Sequence, residues 1–456
     1  MGVKLDWHIE TERIHKRLGE DPDGRKIRRR SRRRIIALTT FMIVLVGGIG
    51  GALLGRLRYV DDRIRQDLTD TIEAEIAALR IGNYPDFIAL QRSASDAWFT
   101  AQSERFQRYQ DQKTTANLTL TGAIHDLVID GPRGRVVLGE IVNNVPFETV
   151  WFYWRYSDGW RHVPADYTFW GELITRPGTP ITVTFYALDV RLGEALANRA
   201  NRWWTAGCIV LDCQPSDPMT LHVAPDPSAA LAWDTSDPNR LIIPSPLAIF
   251  DRARADADMP QALEDAIAQK LAEAMFNDVV AGGAWQNEGT LDAAWLRSGV
   301  IEWAAASLTE RGDPLRMAFM ASYQASYGAS AVAKLAAALT PERMIQIAAE
   351  VVGQPIDLLA VDWHPFFQWR LDVEKTLLSR GDQGAVIPLW DTQNPAAAVL
   401  LRDRLANPGA ATGQVQSVRI AMGNDGIPRA YVAVTVEGTP AALVFAFIEG
   451  TWRRSV

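Results

Sequence analysis

Residues 35–54 (IIALTTFMIVLVGGIGGALL) contain no charged side chain. As a helix that rises about 1.5 Å per residue, this run would span the roughly 30 Å hydrocarbon layer of a membrane. Over residues 56–79, apolar positions recur at helical spacing among many charges, which predicts that the helix continues outward. Gly82, Asn83 and Pro85 are expected to end it.

A second helical pattern, with Phe87, Trp98 and Phe106 on its apolar face, covers residues 87–112. Three runs rich in β-branched and aromatic residues follow and predict an antiparallel sheet; they cover residues 118–130, 135–144 and 147–163. Helices followed by such a sheet form an α+β module. Residues 56–172 resemble the cone-shaped nuclear transport factor 2-like fold, in which helices pack on a curved sheet.

The C-terminal residues 379–456 show the same kind of pattern. A helix is predicted over residues 389–405, and alternating strands follow at residues 415–422, 429–438 and 441–456. The ending FIEGTWRRSV (447–456) parallels YSDGWRHV (156–163). We therefore expect a second, shorter copy of the first module.

Residues 173–378 are predominantly helical in pattern. The segment begins with a strand and a long helix, and two further strands and then five helices are predicted after them. The helices are expected at about residues 260–280, 291–310, 314–326, 330–339 and 341–352. The fold class is thus α+β and multidomain, with a tail (1–34), a transmembrane helix (35–55) and three modules (56–172, 173–378 and 379–456).

In order and content, the middle region resembles the peptidase MA-like domain of the gluzincin metallopeptidases. That family has an H-E-x-x-H helix whose two His bind zinc, while the Glu takes a proton from the metal-bound water. A Trp-Leu-x-Glu-Gly helix supplies the third ligand. The chain keeps Trp295, Leu296, Gly299 and Glu302 of this second helix. The resemblance implies a cleft between the two helices.

The metal-binding positions of that family are replaced in this chain. Gln269, Lys270 and Glu273 stand where H-E-x-x-H is expected, and Ser298 stands at the third-ligand position. Lys270 is the decisive change, because a cation in place of the general base repels Zn²⁺ and, while protonated, accepts no proton. An alternative register places Glu288 at the third-ligand position, which restores one ligand only. We expect no metal and no other cofactor.

The four histidines beyond the membrane span are His125, His162, His222 and His364. No two of them are spaced to meet on one helix face, so the sequence offers no local zinc site, and each is expected to be structural.

The favoured interpretation is a catalytically inactive peptidase relative that serves as a binding or structural platform for a peptide or an envelope protein. An enzyme is the alternative, either a metallopeptidase with another ligand set or a different hydrolase, with Glu273, Glu288 and Glu302 as available carboxylates. A third interpretation is an anti-sigma-like regulator that signals across the membrane. It rests on topology alone.

Charge divides the chain into two parts. Residues 1–34 hold 12 Lys and Arg against 6 Asp and Glu, a net +6, so the total of −7 leaves −13 for the remainder. The positive-inside rule then predicts a cytoplasmic N-terminus and an extracytoplasmic body at the cell membrane. The basic tail is expected to attract anionic lipid and not nucleic acid. A cleaved signal peptide is the rival interpretation, but its apolar core is usually about 7 to 15 residues.

Two smaller patterns bear on pairing. Cys208 and Cys213 are the two cysteines, and an oxidising compartment would permit a bond between them. Gly47, Gly51 and Gly55 lie on one face of the predicted span and would let two copies approach closely as a homodimer. Glycine is also common in transmembrane helices that do not pair.

Overall fold

The structure is a computed structural model that describes residues 22–213, 218–280, 289–309, 311, 314–409 and 413–456. It is a mixed α and β protein. Its helices are α1 (Pro22–Ile81), α2 (Tyr84–Ala89), α3 (Asp96–Thr115), α4 (Val190–Leu211), α5 (Pro246–Ile249), α6 (Gln261–Val279), α7 (Leu291–Thr309), α8 (Pro314–Tyr327), α9 (Ala329–Ala338), α10 (Ile347–Glu350), α11 (His364–Arg380), α12 (Gln383–Val386) and α13 (Pro395–Ala406).

Fourteen strands are formed within the described ranges. They are β1 (Thr119–Asp130), β2 (Arg133–Val142), β3 (Val145–Tyr156), β4 (Gly159–Val163), β5 (Leu173–Arg176), β6 (Ile181–Tyr186), β7 (Met219–Ala224), β8 (Ala232–Trp233), β9 (Arg240–Pro244), β10 (Ala253–Arg254), β11 (Gln414–Met422), β12 (Pro428–Val436), β13 (Thr439–Ile448) and β14 (Thr451–Arg454).

The chain divides into two compact units. The first unit takes Met1–Thr114, Asp126–Val136 and Trp151–Pro164, and the second takes Thr115–His125, Val137–Val150 and Ala165–Val456. Strands β1 to β3 contribute residues to both units. The three-module division of the chain stays a prediction.

The apolar run lies within α1. The large apolar side chains described between residues 35 and 54 are 44% to 69% exposed. Within the described ranges, this is the one helix that is long and apolar enough to cross a membrane.

In the first unit, the C-terminal end of α1 packs through one helical stripe. Leu68, Ile72, Ile76 and Leu79 are all buried, and their spacing of three or four residues places them on one helix face. The hairpin of β3 and β4 pairs Tyr156 with Gly159.

The second predicted helix, over residues 87–112, is two helices in the structure. α2 ends at Ala89 and α3 begins at Asp96. Between them, the Arg92 N–H donates to the His162 carbonyl at 2.8 Å, and the His162 N–H donates to the Leu90 carbonyl at 2.9 Å. This pairing with β4 replaces the helical hydrogen bonds of the segment, so the helix is interrupted.

The second unit contains a five-stranded sheet of order β5-β6-β7-β9-β8. β6, β7 and β9 are parallel, whereas β5 and β8 are antiparallel edge strands. α4 makes the crossover that parallel neighbours require. At Gly193, α4 lies so close to β6 that a Cβ would overlap the Phe185 ring.

Helices α6 to α11 pack with the C-terminal sheet in the second unit. That sheet has the order β11-β12-β13-β14 and is antiparallel throughout. Phe445 and Trp452 lie 4.9 Å and 5.7 Å from the ring of Phe367 on α11, and the three residues belong to one hydrophobic core with β6 and β7.

A buried ion pair links the helices to this sheet within the second unit. Arg370 Nη1 on α11 lies 3.4 Å from Asp292 Oδ1 on α7, and Arg370 Nη2 donates to the Trp452 carbonyl at 2.8 Å. The other carboxylate oxygen of Asp292 accepts from the Thr451 hydroxyl at 2.6 Å and from the Ile345 N–H at 3.2 Å. Both carboxylate oxygens of Asp292 therefore have partners.

Two predicted helices are shorter than expected. Of residues 341–352, only α10 (Ile347–Glu350) is helical, and turns make up the rest. The helix predicted over residues 389–405 begins at Pro395, because the Asn394 side chain accepts from the Ala396 N–H and caps it. Asn394 is a favoured residue at this position.

Candidate functional site

The candidate site lies on α6 and α7, which pack against each other in the second unit. α6 buries an apolar face formed by Ile267, Ala268, Leu271, Ala272, Met275 and Phe276. This packing leaves Gln269 exposed and Lys270 and Glu273 half-buried. On α7, Ser298 is exposed and Glu302 is half-buried.

Glu273 is held by two cations. The Lys270 Nζ donates to Glu273 Oε2 at 3.2 Å, one helical turn away. Arg297 Nη2, on the facing helix, donates to Glu273 Oε1 at 3.0 Å. Its guanidinium also lies 5.7 Å from the Phe276 ring centroid. Both oxygens of the carboxylate are therefore occupied by cationic donors.

The two cations set the protonation state of Glu273. Burial would raise the pKa of this carboxyl, but the hydrogen bonds and charges of Arg297 and Lys270 outweigh it and hold the pKa below its ordinary value. The group is ionised at neutral pH. A carboxylate whose charge is stabilised in this way is a poor general base, since that role needs a pKa near the working pH.

These residues do not fit a zinc site. Zinc in such a site needs neutral His nitrogens or carboxylates that are free to bind it, whereas Gln269 and Lys270 offer an amide and an ammonium, and Glu273 is paired with two cations. Among the residues described, no three His, Cys, Asp or Glu side chains are placed to share a metal ion. Glu288, the ligand of the alternative register, lies outside the described residues.

Three of the α7 residues on which the resemblance rests are packing residues. Trp295 makes edge contacts with Phe319 at 5.0 Å and Phe366 at 5.1 Å, and Leu296 is fully buried. At Gly299 a Cβ would stand 3.4 Å from Met320 Cγ. These positions join α7 to α8 and α11.

Each of the four histidines that follow the apolar run has a hydrogen-bond partner within its own unit. His162 Nδ1 lies 2.6 Å from Glu75 Oε1 in the first unit. In the second unit, Nδ1 of His125 lies 2.8 Å from Glu148 Oε1, Nδ1 of His222 lies 2.8 Å from Thr184 Oγ1, and Nε2 of His364 lies 2.8 Å from the Val415 carbonyl. They lie in four different places.

A buried polar cluster in the first unit escaped the sequence patterns. Glu75 is fully buried, and its carboxylate accepts from the Tyr153 hydroxyl at 2.8 Å and from the Gln91 amide at 3.0 Å, besides meeting His162. Trp151 stacks on the His162 ring at 5.3 Å. Glu75 lies in the apolar stripe that contains Ile72, Ile76 and Leu79, which is the signal that marks it in the sequence.

The charge of Glu75 depends on its neighbours. Burial would raise the pKa of this carboxyl, but the charge and hydrogen bond of His162, together with the charge of Arg105 and the hydrogen bond of Tyr153, lower it below the ordinary 4.5. Glu75 is thus a buried carboxylate with hydrogen-bond partners from three side chains inside an aromatic core. Its geometry identifies it as a structural element of the first unit.

The structure also places the cysteines and the glycines of the span. Cys208 and Cys213 form a disulfide at the end of α4, with their Cα atoms 4.6 Å apart. Gly47, Gly51 and Gly55 lie on α1 with open space around each of them.

Arg297 is the residue of the candidate site that the sequence motif did not indicate. It is one position before the expected third-ligand place, and its contact with Glu273 depends on how α7 packs on α6. No family model, curated protein or solved structure matches the chain.

Proposed function

We propose that this protein is a membrane-anchored, extracytoplasmic and catalytically inactive relative of the gluzincin peptidases, which serves as a platform for a peptide or an envelope protein. In this proposal, residues 173–378 are the peptidase-like domain. Residues 56–172 and 379–456 are the flanking α+β modules, of the nuclear transport factor 2-like kind.

The topology follows from charge and apolarity. The exposed apolar part of α1 is the membrane span, and the basic residues on its N-terminal side hold the tail in the cytoplasm. The acidic body then lies outside the cytoplasm. The same basic residues attract anionic lipid at the inner surface, at about 1 kcal/mol per charge.

The order of elements supports the kinship. A sheet with parallel central strands and an antiparallel edge strand, β8, precedes two packed helices, α6 and α7. The Trp295, Leu296 and Gly299 positions, which the resemblance assigns to the scaffold, are packing positions.

One observation supports the proposed lack of catalytic activity. The carboxylate at the second His position, Glu273, is bonded to Lys270 and Arg297. A metal at this place would have to displace two cations from their carboxylate. An ion-pair network of this kind stabilises the helix pair instead, and it leaves Gln269 and Ser298 as exposed polar groups beside it.

Photo-crosslinking from the two exposed positions tests the platform role. A photoreactive residue at Gln269 or Ser298 of the full-length protein, in its own membrane, is expected to give one covalent adduct of defined mass. The same residue at Arg380, which is exposed at the end of α11, is the matched control. An adduct of twice the chain mass would identify a second copy as the partner. Equal labelling from all three positions, or none, would contradict a binding role for this helix pair.

A further inference from the structure

Helix α1 continues beyond the apolar run as an exposed stalk, which we define as residues 56–67. It is one helix to Ile81, and Leu68 is the first residue after the apolar run that is buried. Within the stalk, Ile64 is half-buried and all other side chains are exposed. At about 1.5 Å per residue, the stalk is about 18 Å long. A length of uncovered helix thus separates the apolar run from the packed part of the first unit.

Three apolar side chains form a stripe along the stalk. Leu57 and Val60 are 60% and 44% exposed, and Ile64 follows them. Their spacing of three and then four residues places them on one helix face, at the a, d and a positions of a heptad. The other stalk residues are charged or polar, apart from Tyr59. We call Leu57, Val60 and Ile64 the seam, because such a pattern is typical of a helix that pairs with another helix.

Neither lipid nor the first unit covers Val60, the middle residue of the seam. Val60 lies about 9 Å beyond Leu54, whereas the headgroup layer is about 5 to 8 Å thick on each side of a membrane. The first unit buries Leu68, Ile72 and Leu79 of α1, which stand at the e and b positions of the same heptad frame and therefore lie beside the seam. A cover for Val60 has to come from another chain.

The charges beside the seam match those of an identical helix. In a parallel pair of helices, position g of one chain lies beside position e of the following heptad in the other chain. Arg56 occupies position g, Asp61 occupies the next position e, and both side chains are exposed. Two copies in register would therefore form two ion pairs, each between Arg56 of one chain and Asp61 of the other. The stalk is thus complementary in charge to a second copy of itself.

A membrane supplies the orientation that this pairing needs. Every copy crosses with its N-terminus on the same side, so two α1 helices are parallel, and the apolar run holds both at one height. We propose that two copies of this chain pair in parallel through the seam, with Arg56 of each chain beside Asp61 of the other. This inference rests on the membrane topology of the proposed function and not on the peptidase kinship.

The seam is a different face of α1 from the glycine face. The spacing of Gly47, Gly51 and Gly55 continues into the stalk at Arg58 and Asp62. With 3.6 residues per turn, these two positions lie roughly 120° or more around the helix from the seam. A pair of helices held by the glycines would bring Arg58 and Asp62 to the interface, so the two arrangements are distinguishable.

Cysteine cross-linking of the full-length protein in membranes tests the pairing. Leu57→Cys, Val60→Cys and Ile64→Cys are expected to form covalent dimers at least about fivefold faster than Arg58→Cys and Asp62→Cys, because core positions bring paired Cβ atoms closest to disulfide distance. The wild type, whose two cysteines are bonded to each other, gives the background. Faster cross-linking at the two control positions, or equal rates or none at all five, would overturn the proposal.

Extraction of the same membranes with alkaline carbonate separates this result from the topology. Protein that stays in the membrane pellet but shows no preference for the seam overturns the pairing alone. Release of the protein into the supernatant overturns the membrane topology and, with it, the pairing.

Charge reversal tests the register of the two helices. In the Val60→Cys protein, Asp61→Arg places like charges at both pairs and is expected to lower the dimer yield by about three- to tenfold, the range that two exposed ion pairs allow. Adding Arg56→Asp gives both pairs opposite charges again and should restore the yield. A yield that is insensitive to Asp61→Arg, or one that Arg56→Asp does not restore, would contradict the pairing of Arg56 with Asp61.

Discussion

Replacing His162 with phenylalanine is expected to destabilise the first unit by about 3 kcal/mol, the upper end of the cost when a buried group loses a hydrogen-bond partner, which is larger for a charged group. The reason is that Glu75 is fully buried and would keep its carboxylate with only neutral hydrogen-bond donors at contact distance, Tyr153 and Gln91. The loss is measured by urea denaturation of the full-length protein, with hydrogen exchange of residues 68–79 as the probe of unfolding.

A second variant separates the lost pair from lost packing. Adding Glu75→Gln to His162→Phe removes the unpaired charge and keeps an oxygen for the Tyr153 hydroxyl, so most of the stability should return. The stability of the wild-type protein also depends on pH through Glu75. Because the pKa of Glu75 is lowered from 4.5, its stabilising contribution is present above pH 4.5 and is lost as the pH falls through the lowered pKa. A His162→Phe protein as stable as the wild type would show that the pair contributes nothing.

Replacing Arg370 with methionine is expected to destabilise the second unit by a similar amount, about 3 to 5 kcal/mol. Asp292 and Arg370 are 2% and 5% exposed, so the variant leaves a buried carboxylate without its cation. It also leaves the Trp452 carbonyl without the donor at 2.8 Å. The change is measured as a shift of the urea midpoint of unfolding, with hydrogen exchange of β14 and α11 as the probe.

The matched control is an ion pair on the surface of the same unit. Arg254 and Asp256 lie 2.8 Å apart, with side chains 45% and 41% exposed, so solvent and salt screen their attraction. Arg254→Met should leave the urea midpoint unchanged. Equal effects of Arg254→Met and Arg370→Met would mean that the Asp292 cluster does not fasten the C-terminal sheet to the helices.

Regular elements were predictable from local patterns. The alternation of apolar and polar residues in β12 and the helical stripe of α6 both depend on neighbours within a few residues, so their period is visible in the sequence. The break between α2 and α3 was not predictable in this way. It depends on backbone hydrogen bonds between residues 90–92 and His162, about seventy positions later in the chain.

The candidate site was only partly predictable for the same reason. The motif comparison identified Gln269, Lys270, Glu273 and Ser298 as positions, and their chemistry predicted that a metal is disfavoured. The comparison gave no indication that Arg297 completes the charge network, because that contact depends on the packing of two helices. At Glu75, the sequence did show an unusual charge within an apolar stripe. Its partners His162 and Tyr153 were not predictable, because they are distant in the sequence.

Metal content and peptide hydrolysis of the purified full-length protein test the inactive-platform proposal most directly. The protein would be loaded with zinc, desalted and assayed for bound metal and for cleavage of a mixed peptide substrate, with and without a chelator, beside an active zinc peptidase as positive control. We expect no stoichiometric zinc and no chelator-sensitive cleavage, because Lys270 and Arg297 occupy the carboxylate of Glu273. One equivalent of zinc with cleavage that the chelator abolishes would contradict the proposal.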